Sequence, residues 1–317
     1  MKEKKKILLA FALILGTFLA ALLTFSVMHP KLRAEGNSEN GEETPALNVS
    51  PYLPESVAFA GEKIPLEVYW VRENLDRELI VASYHHSTTI LSIKRAARFF
   101  PTIEKILAEE GLPDDFKYLC VAESNLQNVV SPAKASGFWQ FLESTAKIYG
   151  LEVNSEVDER YHLEKATRAA CRYLQDSKNR LGSWALAAAA YNMGEVGLKR
   201  NMETQQCSNY WDLLLNQETA RYMYRIIAYK LIFEHPERYN FSLGKTDLYY
   251  PIPTTEIAID TTIPDLYQFA VDQKITYREL KELNPWLRTT SLTVKNNKYT
   301  ILLPIQSKMS SEELLPK

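Results

Sequence analysis

The chain has 317 residues, 46% of them hydrophobic, enough for one domain of ordinary size, a smaller second one and tails. A net charge of -2, with no basic patch interleaved with aromatics, argues against nucleic acid or another polyanion as partner. Tyr 18, Phe 12 and Trp 5 supply a core and leave carbohydrate contacts open.

Residues 1–6 read Met-Lys-Glu-Lys-Lys-Lys, and residues 7–28 carry no charge. That length is about one bilayer crossing of roughly 20 residues, and lysines ahead of it favour a cytoplasmic start, so it reads as an anchor with the rest outside. A cleaved signal peptide is the alternative, although Leu32-Arg33-Ala34 makes a poor cleavage site. No cysteine near its end offers a lipid anchor. Residues 29–50, rich in Gly, Asn, Ser and Glu, read as a flexible linker.

From 66 to 110 apolar residues recur at helical steps, among them Val71, Leu75, Leu79, Phe99, Ile103 and Leu107. Gly111-Leu112-Pro113-Asp114-Asp115 ends this stretch and caps a second helix. On that helix Phe116, Leu119, Cys120 and Glu123 stand at i, i+3, i+4 and i+7, so Glu123 shares the apolar stripe and points inward. Burial disfavours a charged carboxylate, and a carboxyl that keeps its proton near neutrality suits general-acid work. A rim residue or a buried ion-pair partner is the plainer reading of the same spacing.

Residues 127–145 contain Pro132 and Gly137 and lack a period, which predicts a loop lining whatever Glu123 faces, with a short helix from about Ser144. Further helices are predicted at 163–181, at 184–191 with its alanine run, and at 217–234 before His235-Pro236. The alanines allow close helix contact, so 184–191 should be central. Cys120, Cys171 and Cys207 match no metal spacing, and the first two read as small core residues. The histidines form no motif either, and neither metal nor cofactor is expected.

Past Tyr249-Tyr250-Pro251 the pattern changes to a strand at 256–260, short helices at 263–272 and 276–284, and a strand at 298–303. This β-α-α-β order, with Leu283-Asn284-Pro285, resembles a LysM-type glycan-binding module. It departs from that family where Thr261-Thr262-Ile263 replaces the usual Gly-Asp-Thr and Asn296-Asn297 replaces a glycine, so a degenerate unit or a merely structural appendage both fit.

The ordered series Glu123-Ser124, Ser131, Gly137-Phe138-Trp139-Gln140-Phe141, Thr145-Ala146, Tyr149-Gly150-Leu151 and Ala190-Tyr191-Asn192-Met193-Gly194 carries a second resemblance. It is similar to the lysozyme-like (SLT) domain of the lytic transglycosylases, in particular the membrane-bound murein type with Trp before the motif glutamine. The likeness runs loosely from 65 to 240. It implies a mainly α fold: an all-helical lysozyme-like domain over 51–245, with an N-terminal helical extension, and the small α+β module and tail over 246–317.

The resemblance also implies the chemistry. Such enzymes cut the β-1,4 bond after N-acetylmuramic acid in peptidoglycan strands, the muramyl 6-hydroxyl replacing water to close a 1,6-anhydro ring. Glu123 would be the catalytic acid and then the base. Ser131, Gln140, Tyr191, Asn192 and Tyr222 map onto substrate-binding or acid-orienting positions, although Tyr224 could replace Tyr222 and Ser131 could simply cap a turn. Trp139 reads better as core than as a sugar platform. Lys134 stands where the family has Gly, and Glu143 where it has Pro. A muramidase using Glu143 as second carboxylate, or a non-catalytic wall-binding scaffold, are the alternatives. The expected location is the periplasmic face of the inner membrane; protein partners are not indicated.

Overall fold

The computed structural model describes residues 50–295 and 297–316. The basic start, the apolar segment at 7–28 and the linker as far as residue 49 lie outside the described residues. Among the described residues no helix is long and apolar enough to cross a membrane.

The chain enters through a small antiparallel hairpin, β1 (Ala58–Phe59) and β2 (Glu62–Lys63). The apolar stretch at 66–110 forms two helices, α1 (Tyr69–Tyr84) and α2 (His86–Glu109), instead of one. They part at His85, whose ψ of 54° leaves the helical region, while the buried Thr89 hydroxyl donates to the Ala82 carbonyl across the break at 2.6 Å. Then follow α3 (Phe116–Ser124), α4 (Glu143–Ile148), α5 (Leu163–Leu181), α6 (Trp184–Met193), α7 (Glu195–Gln205) and α8 (Gln217–Glu234). Helix α7 has no counterpart among the predicted elements. Its single buried residue, Leu198, gives too thin an apolar stripe to register as a period.

Helix α6 occupies the middle. Ala185, Leu186, Ala187, Ala188, Ala189 and Ala190 are all buried, and their short side chains let α5, α7 and α8 pack close around it. Its start is held from a distance: the Glu62 carboxylate on the hairpin accepts from Trp184 N at 2.7 Å and Ala185 N at 3.2 Å, and Lys178 Nζ joins it at 2.9 Å. An anion at a helix N-terminus satisfies donors that the helix itself leaves open. Ser183 supplies the remaining cap, accepting from Leu186 N.

Beyond Tyr250 come β3 (Thr254–Ile259), α9 (Leu266–Asp272), α10 (Tyr277–Leu283) and β4 (Tyr299–Pro304). The two strands pair antiparallel, Thr254 opposite Pro304 and Ile259 opposite Tyr299. Asn284 ties them to α10: its buried amide donates to the Leu302 carbonyl at 2.7 Å and accepts from Leu302 N at 2.8 Å. This module has its own hydrophobic core, which includes Leu266, Leu280, Trp286, Leu287, Leu292 and Ile301, together with Val157 and Tyr161 from the helical part.

Candidate active site

Glu123 lies in the last turn of α3, and how that helix ends decides where the carboxyl points. Asn125 (φ 51°) and Leu126 (φ 56°) both take left-handed backbone, which stops the helix abruptly. The Asn125 side chain accepts from Ser92 Oγ on α2 and from the Tyr229 hydroxyl on α8, both at 3.3 Å, and Arg95 donates to its carbonyl. Phe116, Leu119 and Cys120 of the stripe are fully buried. Glu123 itself is half-buried as a residue, on the same face of α3 as that stripe.

The Tyr222 hydroxyl, from the second turn of α8, donates to Glu123 Oε1. Burial pushes the Glu123 carboxyl up to about 7, against the opposing pull of the Tyr222 hydrogen bond and the positive charge of Arg225, and with the help of Glu218. Such a group is close to half protonated at neutral pH, able both to give and to take a proton. Glu218 and Arg225 were not among the predicted site residues. They stand four before and three after Tyr222 on one face of α8, so the helical period would have found them once Tyr222 was placed.

The other predicted residues cluster on the loop at 127–141 and the end of α6. Tyr191 sends its hydroxyl to the Trp139 carbonyl at 2.6 Å, with its ring edge-on to Phe141 and Tyr173; Glu123 is in electrostatic reach but not hydrogen-bonded to it. Asn192 accepts from Thr219 Oγ1 at 2.8 Å and donates to Glu218 Oε1 at 3.5 Å, so it joins α6 to the start of α8. Gln140, at φ 49°, spends its amide nitrogen on the loop, donating to the carbonyls of Val129 at 3.0 Å and Gly137 at 2.7 Å. Its carbonyl oxygen accepts no bond among the described residues. Ser131 Oγ accepts from Ala135 N at 3.1 Å, a turn cap whose hydroxyl hydrogen stays available.

Trp139 is core: fully buried, with its indole nitrogen donating to Thr167 Oγ1 at 2.9 Å. Lys134 is exposed at φ 64°, a left-handed position that glycine adopts without cost. Glu143 opens α4, exposed and bonded to Lys147 at 2.6 Å, which holds its carboxyl below the usual range. Tyr224 packs against Trp211 and Tyr210 and does not bond Glu123. Cys120 and Cys171 are buried, Cys207 is half-buried, and all three are free thiols.

The acid of the Glu123–Tyr222 pair, at the end of α3, lies within a segment that matches a known family, and its hydroxyl donor on α8 lies just beyond that segment. Residues 101–214 match the family described as Transglycosylase SLT domain, and residues 255–307 match the Soluble lytic transglycosylase C-terminal LysM-like domain. Among curated proteins the chain is similar to Membrane-bound lytic murein transglycosylase D of Escherichia coli strain K12 and of strain O6:H1, at 26% identity over 254 residues in each case. That alignment takes in 77% of this chain and 55% of those proteins, so the chain spans about half the length of the curated relatives it matches. The chain thus carries a transglycosylase SLT domain and, after it, a LysM-like domain of the soluble lytic transglycosylase type.

Proposed function

We propose that this protein is a lytic transglycosylase of the cell envelope. It cleaves the bond between N-acetylmuramic acid and N-acetylglucosamine in peptidoglycan and leaves 1,6-anhydro ends. Glu123 gives its proton to the departing glycosidic oxygen and then takes one from the muramyl 6-hydroxyl as that oxygen closes on the anomeric carbon. The observation that carries this reading is a Glu123 carboxyl within an SLT domain, held by the Tyr222 hydroxyl and raised by burial. One residue can then serve both steps.

Ser131, Gln140, Tyr191, Asn192 and Tyr222 complete the site in this reading. Tyr222 aims the carboxyl, Tyr191 and Asn192 fix the cleft wall, and the free valences of Ser131 and Gln140 are offered to sugar. The apolar segment at 7–28 holds the enzyme at the outer face of the inner membrane, in keeping with the names of its relatives. The envelope is then where the substrate and the active site meet.

One observation favours a second reading. Glu218 lies in electrostatic reach of Glu123, and a second carboxylate is what a muramidase uses to activate water or attack the sugar. Glu143 is a poor candidate for that part because Lys147 already occupies it.

Digesting purified peptidoglycan and weighing the fragments tests both. Anhydro fragments, one water lighter than reducing ends, and their loss in a Glu123→Gln protein support the transglycosylase. Reducing ends would make it a muramidase, and binding to the sacculus without any cleavage would make it a scaffold.

A further inference from the structure

The segment at 152–161 is shared between the two hydrophobic cores, and it touches the site loop on its other side. Towards the C-terminal module, Val157 pairs with Leu287 in an isolated β-bridge, Asp158 N donates to the Trp286 carbonyl at 2.9 Å, and Arg288 N to the Glu156 carbonyl at 2.7 Å. The Glu156 carboxylate accepts from Thr293 N at 2.8 Å, Thr293 Oγ1 at 3.2 Å and Ser291 Oγ at 3.3 Å. Val157 and Tyr161 are buried in the module's core, and the Arg288 guanidinium lies 4.1 Å over the Tyr161 ring. The module is therefore not a bead on a string, since part of its core belongs to the neighbouring domain.

Towards the site, Arg160 is 8% exposed and uses its whole fork. Two nitrogens grip Asp158, at 2.9 and 2.7 Å, and Nη1 donates to the carbonyls of Lys134 and Phe141, both at 3.2 Å. Those carbonyls flank the loop that carries Gln140 and follows Ser131. At the same place the Arg160 backbone presses on Gly137, where an added Cβ would stand 1.9 Å from the Arg160 oxygen. A buried bidentate pair that also satisfies two loop carbonyls fixes position far better than a point charge would.

We propose that the LysM-like module is a brace for the catalytic loop, acting through Arg160 as a positioning residue. Docking of the module sets the backbone at 156–158, Asp158 sets the Arg160 fork, and the fork sets the loop on which the sugar-facing groups stand. This rests on the transglycosylase reading for its consequence, but its physical content is loop order.

The test uses the full chain with two variants, Arg160→Gln in the fork and Glu156→Ala at the seam, and Arg160→Lys as the conservative control. Amide exchange at Ser131, Ser136 and Gln140 is expected to quicken by about 10- to 100-fold in Arg160→Gln, and by less in Glu156→Ala, while α5 amides keep their parent rates. Turnover per folded molecule on soluble glycan chains should fall about 10- to 100-fold in Arg160→Gln, the scale of a misplaced binding group, with Arg160→Lys between. Retention on the sacculus should stay at parent level. Unchanged loop exchange in Glu156→Ala overturns the brace, whatever Arg160→Gln does. So does full turnover with lost retention in Glu156→Ala, which would make the module a glycan tether. A parent that releases no anhydro product would sink the transglycosylase reading alone, because the exchange rates still decide the brace.

Discussion

The Tyr222 hydroxyl donates to Glu123 across 99 positions of sequence, joining the second turn of α8 to the last turn of α3. The bond favours the ionised carboxylate and so opposes the burial that favours the acid. Removing it in Tyr222→Phe leaves burial less opposed and raises the Glu123 pKa above about 7. The acid must be protonated for its first step, so the alkaline limb of the kcat/KM profile should move to higher pH. Turnover at the optimum should drop about tenfold from lost aim. An alkaline limb that stays in place in Tyr222→Phe would mean that another group governs it.

The two charges that flank Tyr222 act in opposite senses. Arg225 lowers the Glu123 pKa and Glu218 raises it. Arg225→Met should therefore carry the alkaline limb upward and Glu218→Gln should carry it downward, with 1,6-anhydro products retained in both. A Glu218→Gln protein that loses turnover as completely as Glu123→Gln would assign Glu218 a direct part and revive the hydrolytic reading.

Glu123 also leaves a mark on stability. Its folded pKa of about 7 lies above the ordinary carboxyl value near 4.5, so the folded state holds the proton more tightly than the unfolded chain. That contribution is fully present below about pH 4.5 and is lost as the pH rises through about 7. Glu123→Gln removes the penalty of ionising in place. It should be more stable than the parent by roughly 1–3 kcal/mol at pH 8. At pH 4 it should be nearly equal. Urea unfolding at the two pH values measures this; equal differences at both would show that Glu123 ionises freely.

A second glutamate looks alike in sequence and serves a different end. Glu78 is 2% exposed on α1, where its carboxylate accepts from Arg221 of α8 at 2.7 and 3.3 Å and from Arg77 at 3.1 Å. Arg221→Ala leaves that buried carboxylate with only the more exposed Arg77 and should cost about 2 kcal/mol in urea unfolding. Glu78→Gln keeps a hydrogen-bonding group and should cost less. The reverse order would mean that the pair does not hold α1 to α8.

Neighbouring sequence made the helices legible and left their meeting points obscure. The bounds of α5 and α8 followed from apolar period, and Gly182, at φ 86°, marks the end of α5. The break at His85 escaped the period because the apolar steps run on through it, and a hairpin of two-residue strands is too short to show one. Ser131 and Gln140 stood out as motif residues. That they spend hydrogen bonds on their own loop depends on how that loop closes, which no local pattern encodes. Nor could the C-terminal β-α-α-β pattern reveal that its core is completed by Val157 and Tyr161, a contact between segments more than 100 residues apart.

The loop itself offers the last contrast, between Gly137 and Lys134. Gly137 has φ 82° and the Arg160 carbonyl where a Cβ would go, so Gly137→Ala must push the loop off the connector. The left-handed backbone alone costs roughly 1 kcal/mol for a non-glycine residue, and the steric overlap adds to it, for a total of about 2–4 kcal/mol. Lys134 is the mirror case. It is exposed, it holds φ 64°, and what Arg160 uses there is its backbone carbonyl. Lys134→Gly removes the backbone strain without removing that bond, although a more flexible unfolded chain returns part of the gain. It should raise stability by about 0.5 kcal/mol, and turnover should hold or rise because the loop keeps its support. Thermal unfolding of the two variants at one pH decides the matter. If Lys134→Gly loses activity while remaining as stable as the parent, the lysine side chain meets the substrate directly and the loop does more than present Ser131 and Gln140.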